Sequence, residues 1–227
     1  MQSTAEETLP KVAREVNESM EAGLIDSVLM KLQSFQNDRD LGSLCVGIAS
    51  CDSGCGATTI AARLAAQAAM NGMGNVLLVD ANYSRPAVHR RFRVPRGPGL
   101  LDNLVKGVEI PECIQPTDNS DLHLMTLGSK ELSTQAVSPI ALRPFFDDLR
   151  SRYQLVFVDL PVIAQAGFGL FFASQTDGTI LVLDGKITKT RQAKAVVELM
   201  KENQVPVVGA ILNKHAAVLP RWLARWF

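Results

Sequence analysis

The most constraining feature of this chain is the stretch Ser50-Cys51-Asp52-Ser53-Gly54-Cys55-Gly56-Ala57-Thr58-Thr59. It lies between an apolar run, Leu44–Ala49, and an alanine-rich helical pattern, Thr58–Met70. A strand, a glycine-bearing loop and a helix opening on Thr-Thr make a phosphate-binding loop, where backbone N–H groups and the helix macrodipole converge on an anion. The full motif ends Gly-Lys-Ser/Thr, its lysine reaching the β/γ-phosphates and its hydroxyl a Mg²⁺ ion. Gly56 and Thr58 are in place here, but the lysine position holds Ala57. The frame of a nucleotide site is therefore present without one of its principal charges.

The strand–helix alternation continues downstream. Strands are predicted at Leu44–Ala49, Asn75–Asp80, Leu122–Leu127, Leu155–Asp159, Gly178–Leu183 and Val207–Leu212. Helices are predicted at Thr58–Met70, Ser138–Tyr153 and Thr188–Glu202, with short ones at Gly99–Lys106 and Pro111–Ile114. Alternation of this kind predicts an α/β fold, a doubly wound, mostly parallel sheet with ligands at the carboxyl ends of its strands. Ahead of it, Ala5–Met20 and Leu24–Gln36 predict two helices with apolar residues at three- and four-residue spacings. The break at Asn37–Gly42 predicts a helical N-terminal arm over 1–41 and a P-loop domain over 42–227 that includes an aromatic, basic tail.

Composition narrows the class. With 227 residues, 47% hydrophobic and 20% charged, the chain has material for a sizeable core. Lys+Arg and Asp+Glu both total 23, so no charge bias points to nucleic acid. The four cysteines are expected as reduced thiols in a cytoplasmic protein. The uncharged stretch Leu160–Thr176 contains Pro161, Gln165, Ser174 and Gln175 and reads as soluble rather than membrane-spanning.

Asp80 and Asp159 each end a buried strand and would face the loop from the same sheet edge. With Thr58 they form a tentative Mg²⁺ site, because Mg²⁺ is held by one or two carboxylates together with phosphate oxygens and water. For either aspartate alone, capping of the next element is an equally good reading. Cys51 and Cys55 read as inert loop thiols, although a helix N-terminus lowers a thiol pKa. Arg85, Arg90, Arg91, Arg93 and Arg96, with His89, read as a solvated face; the alternative is a surface for an anion or acidic partner. In the tail, Trp222, Leu223, Trp226 and Phe227 interleave with Arg221 and Arg225, which suits a membrane interface, a partner's groove or packing on the domain.

These motifs, in this order, resemble the bacterial protein-tyrosine kinases of capsule and exopolysaccharide systems, within the MinD/ParA-like branch of P-loop proteins. Val76–Asn82 with Arg85-Pro86 resembles the family's Walker A′ segment, and His89, Phe92 and Gly97–Leu100 the stretch after it. Tyr153–Asp159 with Pro161 is similar to the Walker B strand, and Asp177-Gly178 to the start of the next strand. Gly209–Asn213 resembles the strand whose asparagine reads the purine, and Leu219–Leu223 a tail of many members. The resemblance implies ATP or ADP with Mg²⁺ as ligands. Nucleotide contacts would come from Gly54, Cys55, Gly56, Ala57, Thr58, Thr59 and Asn213, and any remaining catalysis would use Asp80 and Asp159.

Departures from the family's pattern fall where its chemistry lies. Ala57 replaces the loop lysine, Asn82 the second Walker A′ acid, and Phe168 an aspartate after Walker B. Of the arginine-containing oligomerisation motif, the comparable stretch Ile25–Leu32 keeps only Lys31. The tyrosines of the sequence are Tyr83 and Tyr153, without the family's C-terminal cluster. The expectation is a degenerate, pseudokinase-like regulatory or scaffolding subunit of polysaccharide synthesis and export, with weak or lost nucleotide binding. It would be cytoplasmic and peripheral to the inner membrane. Its partner would be a Wzz-like chain-length co-polymerase or kinase activator, with a homo-oligomer also possible. Two rivals stand beside it. One is an active autokinase or ATPase borrowing Lys186 or Lys214; the other is a MinD/ParA-type positioning ATPase, disfavoured because Asp52 stands where that class carries a lysine.

Overall fold

The computed structural model describes residues 11–129, 131–165 and 167–214. The tail Leu219–Phe227 and the start of the first predicted helix, 5–10, lie outside them. The chain divides into two units between Gly42 and Ser43.

In the first unit, a single helix α1 spans Lys11–Asp38 where two were expected. The gap between the two expected helices, 21–23, contains Gly23, but one glycine costs a helix only about 1 kcal/mol and does not end this one. Its C-terminus is tied off locally. The Leu41 amide donates to Gln36 O (3.1 Å), the Gln36 amide donates back to Leu41 O (3.1 Å), and Arg39 lies 4.2 Å over the Phe35 ring.

The second unit is built on a seven-stranded sheet. Its strands are β1 (Leu44–Ser50), β2 (Val76–Asp80), β3 (Ile114–Pro116), β4 (Leu122–Met125), β5 (Leu155–Val162), β6 (Gly178–Asp184) and β7 (Val207–Asn213), in the order β3-β4-β2-β5-β1-β6-β7. Every pairing is parallel except β3–β4. The doubly wound parallel architecture is the one the sequence predicts. All six predicted strands are present. The edge strand β3 was missed, because three residues ending in proline carry no alternation.

The central strands β1 and β2 are buried at every position, as near-continuous apolar runs covered on both faces should be. Helix α2 (Ala57–Met70) packs across β1, β2 and β5. Its inward residues are Ala61, Leu64, Ala65 and Ala68, all without exposure. Small side chains there let the helix axis come close to the sheet, which fixes the loop ahead of it. Further helices are α3 (Val88–Arg91), α4 (Leu100–Lys106), α5 (Ile110–Cys113), α6 (Pro139–Arg152), α7 (Gly167–Ala173) and α8 (Thr190–Glu202). One large apolar cluster on the sheet gathers Phe146, Phe172, Leu142 and Leu149 against β5 residues such as Val156 and Val158. Parallel alternation brings the ends of β1, β2 and β5 to one edge, where β1 feeds the loop.

Candidate nucleotide site

The loop after β1 is shaped by its glycines. Gly54 and Gly56 take φ of 81° and 94°, the left-handed region that favours glycine. A Cβ at Gly56 would also collide with the Asn213 amide. That amide donates to Cys55 O (2.8 Å), so β7 clamps the loop from behind. Gly56 stands at the N-cap of α2 and brings no side-chain cap. The first N–H groups of α2 therefore lack the side-chain partner such groups usually find, the condition in which an anion completes a helix N-terminus.

Beneath the first turn lies a pair of carboxylates. Asp80 and Asp159 sit opposite each other across β2 and β5, and neither has any exposure. The Thr58 hydroxyl donates to Asp159 Oδ2 (2.7 Å), while Asp159 Oδ1 is buried with no partner among the described residues. Asp80 is more occupied. Its Oδ1 accepts from the Asn82 amide (3.2 Å) and its Oδ2 from the Ala87 and Val88 amides (3.0 Å each). Burial pushes the Asp80 carboxyl up to about 6 against the pull of these amides and Arg96. Asp159 is raised well above the usual carboxylate range by burial and then by the charge of Asp80, against the Thr58 hydroxyl and Arg91. Two carboxylates this close, out of water, resist ionising together.

Among the described residues no cluster of three or more His, Cys, Asp or Glu could hold a metal. Mg²⁺ at a phosphate site needs fewer protein ligands. The orphaned Asp159 Oδ1 beside the Thr58 hydroxyl fits a hard cation or one of its waters. Bound there, Mg²⁺ would neutralise phosphate charge. Thr58 and Asp159 would hold it, while Asp80 chiefly ties down the segment leading into α3. Asn82 has a similar local duty, its Oδ1 accepting from the Arg85 amide (3.2 Å).

A cleft of about 350 Å³ opens over the loop, lined by Ser50, Ser53–Thr59, Asn82, Ser84, Arg85, Ala87, Arg90 and Val162. Of the expected nucleotide-binding residues, Gly54 to Thr59 all line it. Asn213 does not, since its amide is spent on Cys55 O. Ala57 forms part of the wall and adds no charge. Lys214 reaches the loop from the other side, its Nζ donating to Gly54 O (2.5 Å) and pairing with Asp184 Oδ2 (2.9 Å). Its hydrogen bond holds the Asp184 carboxyl below its ordinary value. Lys186 offers its backbone amide to Asp184 Oδ1 (2.9 Å). Neither lysine lines the cleft.

Arg85, Arg90, Arg91 and Arg93 are exposed, as a solvated face would have them, but the run also makes specific contacts. Arg85 and Arg90 line the cleft, Arg91 donates to the Thr59 hydroxyl, and Arg96 lies 3.4 Å from His89 Nε2. Sequence reading could not separate these roles, because the four-residue helix α3 is too short for periodicity to assign faces.

The remaining positions are spent on packing. Phe168 meets Tyr83 edge-on at 5.5 Å and Phe172 at 4.5 Å, so an aromatic cluster fills the place where the resemblance implies an acid. Asp52 accepts from Thr188 (3.4 Å) and from Gln192, which ties the loop to α8. Cys51 and Cys55 are each 1% exposed, and burial pushes the Cys51 thiol up to about 11. The neighbouring Asp52 charge and Cys55 push it the same way.

No family model matches the chain. Individual proteins do. It is 29% identical over 182 residues to the tyrosine-protein kinase YwqD of Bacillus subtilis, covering 78% of this chain and 73% of YwqD. It is 26% identical over 163 residues to the succinoglycan biosynthesis transport protein ExoP of Rhizobium meliloti, covering 70% of this chain and 21% of ExoP. The chain is a relative of the bacterial tyrosine kinases. Solved structures place the fold in the same group. The kinase domain of Escherichia coli tyrosine kinase ETK matches with a TM-score of 0.73 at 21% identity, over 83% of this chain and 74% of ETK. The septum site-determining protein MinD of Pyrococcus horikoshii, solved with Mg-ADP, matches with a TM-score of 0.63 at 20% identity, over 81% of this chain and 76% of MinD. The fold is thus that of the tyrosine-kinase domains and the MinD-like nucleotide-binding proteins. Among the described residues, no helix is long and apolar enough to cross a membrane.

Proposed function

We propose that this chain is a catalytically impaired member of the tyrosine-kinase group, a regulatory or scaffolding subunit of exopolysaccharide or capsule synthesis and export. Its partner would be a Wzz-like chain-length co-polymerase or kinase activator at the inner membrane. The observation that carries this reading is Ala57, in the wall of the cleft where the loop lysine would stand, while Lys214 is engaged by Gly54 O and Asp184. A charge-assisted hydrogen bond contributes roughly 1.5–3 kcal/mol, so losing the lysine weakens ground-state binding about ten- to a hundredfold. Phosphoryl transfer suffers more, because its catalysis is positioning and electrostatic stabilisation. Missing the lysine and one acid costs on the order of 10³-fold or more. The Tyr83–Phe168 contact further favours a binding role, since it puts an aromatic plug where an acid is expected. Single-turnover transfer from Mg·ATP, with Asp159→Asn as control, tests this. The reading expects the unmodified chain to stay within about tenfold of the control, and a rate a hundredfold or more above it would overturn the reading.

A further inference from the structure

An anion site needs positive charge as well as N–H donors, and the loop supplies only the donors. The charge lining this cleft comes from across it. Arg85 lies on the segment between β2 and α3 and Arg90 within α3, both are exposed, and among the described residues no acidic side chain lines the cleft with them. Their neighbours are already committed, Arg91 to the Thr59 hydroxyl and Arg96 beside His89. The segment is also held in place. Asp80 binds the Ala87 and Val88 amides, Val88 is fully buried, and α3 packs on α2. Arg90 therefore stands two residues beyond a fixed point, over the first turn of α2.

A second observation points to a ligand independently. The buried, partnerless Asp159 Oδ1 lies beneath Thr58, at the same turn, and calls for a cation or a water. A metal-bound phosphate chain supplies both what that oxygen lacks and what the arginines seek. At 350 Å³ the cleft is near the lower end of the roughly 300–1,000 Å³ of small-molecule sites, a size suited to phosphate groups with the rest of a ligand outside.

We propose that Arg90, together with Arg85, supplies the phosphate-binding charge that Ala57 leaves out, so that this cleft takes the diphosphate or triphosphate end of a Mg²⁺-bound nucleotide. This rests on reading the loop as a nucleotide site. It differs from the lysine arrangement in a way that matters. A loop lysine grows from the rigid turn itself, whereas these arginines reach in from the facing segment on exposed side chains. Guanidinium forks hold phosphate oxygens bidentately, giving grip on the ground state. Recognition then depends on phosphates more than on the base.

Calorimetry on the whole chain with Mg·ADP, and with magnesium pyrophosphate as competitor, tests this. The expected results are measurable Mg·ADP binding, competition by pyrophosphate, and at least a tenfold loss of affinity in Arg85→Ala/Arg90→Ala. Arg90→Lys should retain part of the affinity, since charge is kept and the fork lost. Ala57→Lys introduced into the double variant should restore binding, which a misfolded protein could not do. The proposal is overturned if the natural chain binds neither ligand, or if the double variant, with unchanged melting temperature, binds as tightly as the parent. Those outcomes are separate from the functional reading above, which stands or falls on the transfer rate.

Discussion

The β1–α2 loop and the β2–α3 segment face each other across one cleft and carry complementary halves of an anion site. The loop has geometry without charge. Gly54 and Gly56 set the turn, Asn213 clamps it, and Ala57 adds nothing electrostatic. The segment has charge on side chains that water also reaches. Its backbone is anchored by Asp80, but its arginines are exposed. Binding tolerates such a division, because mobile charges can close on a ligand. Catalysis does not, because charge that must reorganise during the reaction loses most of its advantage. The same pocket can therefore keep a ligand and lose a reaction.

Breaking the loop should have the larger effect. Gly56→Val forces a branched side chain into a left-handed backbone and against the Asn213 amide, which must release Cys55 O. We expect a loss of about 2–3 kcal/mol of stability by chemical denaturation, with nucleotide binding abolished. Removing the arginines should spare stability and affect only binding, which sharpens the contrast between a structural and an electrostatic half.

The carboxylates beneath the loop give a prediction with the opposite sign. In the folded chain Asp80 titrates at about 6 and Asp159 is also raised, both above the roughly 3.9 of an unfolded aspartate. The folded state thus holds these protons longer. Their contribution favours folding most at low pH and is lost as pH rises from about 4 through 6 and above. Asp159→Asn removes one charge of the pair. It should raise stability at pH 8 by on the order of 1–3 kcal/mol, with a smaller gain at pH 5. Equal melting shifts at both pH values would show that the pair is not coupled. Since Asp159 also faces Thr58, the same variant should weaken Mg²⁺-dependent binding while it stabilises the fold.

The smallest effect belongs to the back of the loop. Lys214→Ala frees Gly54 O and leaves Asp184, which is nearly buried, without its cation. A loss of about 1 kcal/mol in stability is expected. Its effect on nucleotide affinity should be below that of the arginine pair. A larger effect on affinity would mean that Lys214 turns into the cleft and acts as the missing lysine.

How much of this was legible beforehand varies with the physics of each element. Strands buried on both faces announce themselves as apolar runs, so β1, β2 and β5 and the carboxylates Asp80 and Asp159 set in β2 and β5 were readable, although β5 runs on past Asp159 to Val162. The loop was readable because glycine at Gly54 and Gly56 is a backbone requirement. The continuity of α1 was not, since a single Gly23 is a weak stop. The roles of Arg85, Arg90, Arg91 and Arg96 were not legible either. Of the five arginines from Arg85 to Arg96, two line the cleft, Arg91 meets a threonine and Arg96 a histidine, according to where Asp80 pins the chain. Asn213 was found by resemblance, but its hydrogen bond to the loop is a tertiary fact that spacing does not encode.

The central claim is that Ala57 is what separates this cleft from a catalytic nucleotide site. Calorimetric titration of Mg·ADP into the natural chain beside Ala57→Lys tests it most directly. The account predicts weak binding by the natural chain and a gain of about ten- to a hundredfold in the variant. A folded Ala57→Lys that binds no more tightly than its parent would contradict it.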